Sequence, residues 1–311
     1  MQDKIIILMA TYNGEEYISK QLDSLIEQTY ENWELWIRDD FSTDTTIEII
    51  QKYISVDNRI HIYNDKLGNL GATRNFATLL ENVNIENYVM FADQDDFWLP
   101  FKIELTLRTM KENVNNTNEP SLVYSPLTKV NALLEPIKIK EYPLPKKTTI
   151  NNIISQNYIY GCTMMLNKEL VKLTNPISGF AENHDYWIAL IAASHGKVFS
   201  TNKSTILYRQ HDNNVSGSYK DSSYKLRIKR LTTKKYNIYL IKKLNMLDAL
   251  TKHLNSKGLD ISFYEEYLST IKKGGFMAVV YVIKNKLFKH GTNRVSNLMN
   301  LITIFNYKDN R

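Results

Sequence analysis

Across the first hundred residues, short apolar runs rich in β-branched residues alternate with stretches whose apolar residues recur every three or four positions. Residues 4–9, 34–38, 60–64 and 88–92 are predicted strands. Residues 16–28, 45–54 and 72–81 are predicted helices, the first with Ile18, Leu22, Leu25 and Ile26 along one face. A further helix is expected after Pro100, and Gly161-Cys162-Thr163-Met164-Met165 reads as a strand. Alternation of this kind predicts an α/β fold with a mostly parallel, doubly wound sheet, whose ligands sit beyond the carboxyl ends of the strands. The first apolar run, Ile5-Ile6-Ile7-Leu8, breaks at Thr11-Tyr12-Asn13-Gly14 and reads as a strand rather than a secretory signal. The longest later apolar run, residues 274–283, is about half the length that a membrane-spanning helix needs.

Beyond Ser218 the pattern becomes helical and basic, with Lys225, Arg227, Lys229, Arg230, Lys234 and Lys235 set among Ile228, Leu231, Tyr236, Ile238 and Leu240. A second segment of the same kind runs from Met277 to Phe305. Composition sharpens this contrast. The 311 residues carry a net charge of +6, yet residues 218–311 hold 19 Lys and Arg against 6 Asp and Glu, a net +13. Residues 1–217 are therefore acidic at −7. We place a boundary near Gly217 and expect a basic helical extension that either packs on the first part with a solvated basic face or lies on an anionic membrane surface. The single cysteine, Cys162, excludes a disulfide framework and Cys-rich metal sites, and fits a reducing cytoplasm, with Cys162 itself packing as a small hydrophobe. Twenty tyrosines suit a sugar cleft, but they also fill cores and surfaces.

Each predicted strand end carries polar groups. Thr11-Tyr12-Asn13-Gly14 follows the first strand, Asp39-Asp40-Phe41-Ser42 the second, and Asp93-Gln94-Asp95-Asp96 the fourth, so five carboxylates converge on one rim. Their mutual repulsion calls for a cation, and hard oxygen donors select Mg²⁺ or Mn²⁺.

These segments, in this order and spacing, resemble family 2 glycosyltransferases of the GT-A fold. The residues that carry the resemblance are Met9-Ala10-Thr11-Tyr12-Asn13, Gln28-Thr29-Tyr30, Arg38-Asp39-Asp40-Phe41-Ser42-Thr43-Asp44, Gly71-Ala72-Thr73-Arg74-Asn75 and Ala92-Asp93-Gln94-Asp95-Asp96-Phe97-Trp98-Leu99-Pro100. With His184-Asp185-Tyr186-Trp187 and Tyr208-Arg209-Gln210-His211, the chain is similar to the branch that includes bacterial rhamnosyltransferases. The resemblance implies a GT-A catalytic domain over residues 1–217, its first hundred residues binding a nucleoside-diphosphate sugar and residues 101–217 facing the acceptor. It implies donor contacts from Thr11, Tyr12, Asn13, Glu15, Asp40, Arg74, Asp93, Arg209 and His211. Asp40 would accept the imide N–H of a uracil or thymine base. Asp93 would lie near the ribose and, with Asp95 as the principal ligand, help bind the divalent ion that neutralises the departing diphosphate. Asp96 would aid metal or sugar, or cap the helix after Pro100. Asp185 is the implied catalytic base of a single inverting displacement, with Glu182 and His184 in reserve. Arg209 or His211 would reach the diphosphate as the segment Ser216-Gly217-Ser218 closes.

The expected function is thus a metal-dependent, inverting sugar transfer from dTDP-rhamnose or a UDP-sugar to a glycan acceptor, lipid-linked, in capsule, O-antigen or cell-wall polysaccharide synthesis. The enzyme would be cytoplasmic and peripheral on the inner membrane face. The competing reading is a catalytically silent protein of the same fold serving as an assembly partner or carbohydrate reader. A nucleotidyltransferase lacks its Gly-rich, Arg-containing loop here, and Gly68-Asn69-Leu70-Gly71 lacks the spacing of a dinucleotide turn. A glycoside hydrolase needs no dense Asp cluster, and an acidic catalytic part repels nucleic acid.

Overall fold

The computed structural model describes residues 3–114, 118–137, 145, 147–211, 235–289 and 294–307. The first apolar run forms β1 (Ile5–Thr11), which lies between β2 (Trp33–Asp39) and β4 (Tyr88–Asp93), parallel to both. Ile5 to Met9 are all buried because a central strand is covered on both faces, which is why the run is continuous rather than alternating. β3 (Ile60–Ile62) extends the sheet parallel to β2. The helices α1 (Ile18–Ile26), α2 (Thr46–Val56) and α3 (Ala72–Asn82) connect these strands, and α1 buries Ile18, Leu22 and Leu25 as its spacing requires. After the short β5 (Phe97–Trp98), α4 (Lys102–Asn113) begins just past Pro100.

β6 (Ser121–Tyr124) leads to β7 (Thr128–Val130), and later come β8 (Met164–Asn167), α6 (Lys168–Thr174), α7 (His184–His195), β9 (Lys197–Ser200) and β10 (Ile206–Arg209). The main sheet has the order β3-β2-β1-β4-β8-β6-β9 and is mostly parallel, β8 alone running against both its neighbours. A second sheet, β5-β10-β7, joins the chain that follows β4 to the strand ending at Arg209. The expected strand at Gly161–Met165 is a tight 3-10 turn over Gly161–Thr163, and extended pairing starts only at Met164. The turn is fixed by the Thr163 hydroxyl donating to the Tyr160 carbonyl at 2.7 Å, and by a glycine whose missing side chain leaves room for His184.

Contacts divide the chain into two compact units. One comprises residues 1–139, 159–177 and 183–211 and holds both sheets; the other comprises residues 140–158, 178–182 and 212–311. In the second unit lie α5 (Ile150–Ser155), α8 (Lys235–Ser256), α9 (Ser262–Lys273), α10 (Gly275–Lys284) and α11 (Arg294–Phe305). The expected boundary at Gly217, the Ser216-Gly217-Ser218 segment and the basic residues Lys225 to Lys234 fall outside the described residues.

One buried charge holds the carboxyl end of β2. The Arg38 guanidinium, 1% exposed, donates from Nε and Nη2 to Asp65 at 2.7 and 3.0 Å, from Nη1 to Asp40 at 2.8 Å and from Nη2 to the Gly68 carbonyl at 2.9 Å. Burial opposes its charge, but the bonds to Asp65 and Asp40 outweigh that cost and hold its pKa above the ordinary arginine value. Arg38→Met strands two carboxylates, and we expect a loss of ~3–5 kcal/mol in urea unfolding, a cost typical of breaking a buried pair. A loss below about 1 kcal/mol would show that Asp40 and Asp65 are solvated without it.

Candidate active site

The loops after β1 and β2 are fastened to one another. Thr11 Oγ1 donates to Asp39 Oδ1 at 2.8 Å, and Ser42 donates to the same carboxylate from its hydroxyl at 2.6 Å and its amide at 2.7 Å. Asn13 and Phe41 are non-glycine residues in the left-handed region, at φ 46° and 67°. Hydrogen bonds hold that strain at Asn13, whose amide donates to Ser42 Oγ and whose Oδ1 accepts from the Thr43 amide, both at 2.8 Å. Glu15 Oε2 accepts from the amide and hydroxyl of Thr45 at 3.0 and 2.7 Å. The Tyr12 side chain is half exposed, while its backbone is clasped by the Gln94 amide through two bonds of 2.9 Å. A Cβ at Gly14 would lie 2.3 Å from Gln94 Oε1, so only glycine leaves this clasp intact.

Asp40 is buried, its Oδ1 accepting from Arg38 and the Leu70 amide and its Oδ2 from the Gly71 amide at 2.7 Å. The carboxylate thus anchors the turn that opens α3. Arg74, in the first turn of α3, is exposed, and its charge acts on Glu81 two turns further along.

The acidic cluster forms where β4 ends. Asp93 is its last residue, and ligand atoms of Asp93, Asp96 and Cys162 lie within 4.8 Å of one another. Burial, reinforced by the charges of Asp95 and Asp185, pushes Asp93 up to about 7. Burial also raises Asp96 well above the carboxylate range, with Asp95 and Asp93 adding to the effect. Asp96 Oδ1 accepts the Arg209 amide at 3.1 Å, while its Oδ2 is buried without a hydrogen-bond partner of good geometry beside the Cys162 thiol. Asp95 turns the other way, its Oδ2 lying 2.6 Å from His211 Nε2. The His211 ring stacks on Tyr17 at 4.9 Å, and the Arg209 guanidinium covers the same tyrosine at 4.5 Å. Arg209 ends β10, fully buried, and donates to the Asp95 carbonyl at 2.7 Å and to the Ala132 carbonyl.

Asp185 stands in the first turn of α7, and its Oδ2 accepts the Gly161 amide at 3.2 Å. Its charge reaches Asp93 and Tyr160, which places it electrostatically within the cluster. The two reserves are situated differently. His184 is packed between Phe76 and Phe91, with ring centroids 4.3 and 5.0 Å away, and burial lowers its pKa to about 3, so it is neutral. Glu182 belongs to the second unit, where burial raises its pKa while Lys243, Lys242 and Lys289 draw it down.

Three residues around the cluster carry no signal in the sequence. Cys162 is buried against the carboxylates, and Tyr17 bridges Arg209 and His211. Lys102 is buried over the Trp98 ring, and burial brings its pKa down to about 8 against the pull of Cys162 and Asp96. Only the acidic excess hinted that such a cation was required.

The residues that could hold a hard divalent ion are the carboxylates of Asp93 and Asp96, which converge beside Cys162, and that of Asp95, which meets the His211 ring close by; oxygen donors of this kind fit Mg²⁺ or Mn²⁺. Residues 6–172 match the model of glycosyl transferase family 2. A dTDP-rhamnosyl transferase of Shigella flexneri, RfbG, is 33% identical over 245 residues, covering 72% of this chain and 78% of its own. WfgD of Escherichia coli, a UDP-Glc:alpha-D-GlcNAc-diphosphoundecaprenol beta-1,3-glucosyltransferase, is 28% identical over 223 residues, covering 70% and 82%. Among solved structures, the mannosyltransferase PcManGT of Pyrobaculum calidifontis, in complex with GDP-Man and Mn²⁺, aligns over 98% of this chain and 86% of its own, with TM-score 0.51 and 13% identity. The fold and the site thus define a GT-A glycosyltransferase. The chain belongs to glycosyl transferase family 2.

The neutral, buried His184 gives stability a pH dependence. An unfolded histidine titrates near 6.5 while the folded one resists protonation down to about 3, so its contribution is fully present above 6.5 and is lost as pH falls. Between pH 7 and 5 the wild type should lose about 2 kcal/mol more unfolding free energy than His184→Gln. Equal losses in urea titrations would show that the ring is protonated in the folded state.

Proposed function

We propose that the chain transfers a sugar from a nucleoside-diphosphate donor, dTDP-rhamnose or a UDP-sugar, to a glycan acceptor, with inversion at the anomeric carbon. What supports this reading above all is a carboxylate on a second element: Asp185 of α7 accepts the amide of Gly161, the residue before the Cys162 that lies against Asp93 and Asp96 at the end of β4. Thr11, Tyr12, Asn13, Glu15 and Asp40 shape the nucleoside pocket, the half-exposed Tyr12 ring offering a face to the base. Asp93 serves the ribose, with Arg74 and His211 toward the diphosphate, while the buried Arg209 holds the Asp95 carbonyl and so positions that loop.

Asp95, with Asp93 and Asp96, would hold a Mn²⁺ or Mg²⁺ ion, which when bound offsets charge growing on the departing diphosphate. Asp185 accepts the proton of the acceptor hydroxyl as its oxygen attacks the anomeric carbon. The new glycosidic bond forms as the bond to the diphosphate breaks, and the nucleoside diphosphate leaves. The donors are those named for RfbG and WfgD, and WfgD's diphosphoundecaprenol acceptor supports a lipid-linked substrate and a role in capsule, O-antigen or cell-wall polysaccharide assembly. Residues 218–311, with a net charge of +13, would hold the enzyme peripherally on the anionic cytoplasmic face of the membrane where such acceptors reside.

Calorimetric titration with UDP, TDP, GDP and CMP, with and without Mn²⁺, should show metal-dependent binding of one nucleoside diphosphate. Asp95→Ala should abolish that binding. Asp185→Asn should keep it while transfer falls ~10²–10⁴-fold, the usual contribution of a general base. Full transfer by Asp185→Asn would overturn the base assignment, and absence of nucleotide binding under every condition would overturn the donor site.

A further inference from the structure

Among the described residues, the second unit leaves an apolar face bare. Within α10, Ala278, Tyr281 and Val282 are buried, whereas Phe276, Met277, Val280 and Ile283 are exposed, Phe276 and Met277 by 70% and 72%. Within α11, Met299, Thr303 and Ile304 are buried, whereas Leu298, Ile302 and Phe305 are exposed by about half. The spacing 276, 280, 283 and 298, 302, 305 puts each exposed set along one helical stripe, opposite the packed one. The two helices form an antiparallel hairpin. Beyond the end of α10, Asn297 bonds the backbone of Lys289 at 2.9 and 3.4 Å; at the other end, a Cβ on Gly274 would lie 2.2 Å from the Tyr307 carbonyl.

Charge identifies what this face meets. From Tyr267 to Lys308 the chain carries seven Lys and Arg and no Asp or Glu. Lys272 is neutralised by Asp248 of α8 at 2.6 Å, but Lys273, Lys284 and Lys286 are exposed at the ends of α9 and α10. A second copy would set two such cationic hairpins against each other, and like-charge apposition opposes that pairing. Among the described residues no helix is long and apolar enough to cross a membrane, and α10, at ~15 Å, reaches half of a bilayer's hydrocarbon. Apolar stripes rimmed by lysines, too short to span, match a surface that is anionic outside and hydrocarbon beneath.

We propose that the α10–α11 hairpin is the segment that enters the headgroup and acyl boundary of an anionic bilayer, its uncovered apolar stripes immersed and its lysines at the phosphates. This rests on the reading of residues 218–311 as membrane-facing and names the surface that makes the contact.

The test is co-sedimentation of the full chain with phosphatidylcholine vesicles, with and without phosphatidylglycerol, at low salt and at ~1 M salt. The variants are Phe276→Ser/Ile283→Ser/Ile302→Ser and a charge reversal of Lys225, Arg227, Lys229, Arg230, Lys234 and Lys235 to Glu. The wild type should bind anionic vesicles and keep a salt-resistant fraction. The triple serine variant, altered only at exposed positions, should lose that fraction and at least about tenfold in affinity, with its thermal melt and nucleotide binding unchanged. Wild-type-like binding by the triple variant overturns the hairpin. If charge reversal alone then releases the chain, the membrane reading survives with a different contact. A wild type that ignores both kinds of vesicle overturns both. A dimer in sedimentation velocity that the serine variant dissociates, without vesicle binding, assigns the face to a second copy instead.

Discussion

Mutual repulsion among the carboxylates at the end of β4 is the constraint around which the site is arranged. Asp96 is buried and Asp93 half-buried beside Asp95, with Asp185 acting on Asp93 from α7. Like charges at this range cannot all ionise without compensation. The protein supplies it piecemeal. The Arg209 amide serves Asp96, its guanidinium binds the Asp95 carbonyl, the His211 ring meets the Asp95 carboxylate, and Lys102 lies buried nearby. Even so, Asp93 stays near 7, and one Asp96 oxygen has only the Cys162 thiol beside it. A site so incompletely neutralised is poised for a cation, and the β5-β10-β7 sheet exists at this spot to bring Arg209 and His211 to it.

A second arrangement operates at the end of β2 and has the opposite character, because there the charges are settled. Arg38, Asp40 and Asp65 satisfy one another, and the amides of Leu70 and Gly71 close the remaining valence of Asp40. The result is a rigid wall formed by two loops and the start of α3. The end of β2 is thus preorganised, and the end of β4 holds unspent charge, a division suited to recognising a ligand at one end and doing chemistry at the other.

Much of this was legible in the sequence, for physical reasons that can be named. Ile5-Ile6-Ile7-Leu8 announced a strand because a doubly covered strand needs no polar face, and Ile18, Leu22 and Leu25 announced α1 because a half-covered helix needs just one apolar stripe. The Asp-Gln-Asp-Asp run announced a site because such density is costly anywhere else. What stayed hidden depends on contacts between distant residues. The strands β5, β7 and β10 have two to four residues, too few to show a period. His184, beside the expected base, is spent on packing against Phe76 and Phe91, and Glu182, three residues before it, groups with the second unit. A local motif places the backbone, but neighbours supplied by other elements decide which of its side chains join the acidic cluster.

Cys162 has a practical consequence of its own. It is the sole thiol in the chain, it has no solvent exposure, and burial beside Asp96 and Asp93 keeps it protonated well beyond neutrality. Maleimide reagents require an accessible thiolate, so this residue is silent toward them in the folded state. A cysteine introduced on any exposed helix can therefore carry a fluorophore or spin label without first removing the native one, and distance measurements between labelled positions can be made on an otherwise unaltered enzyme.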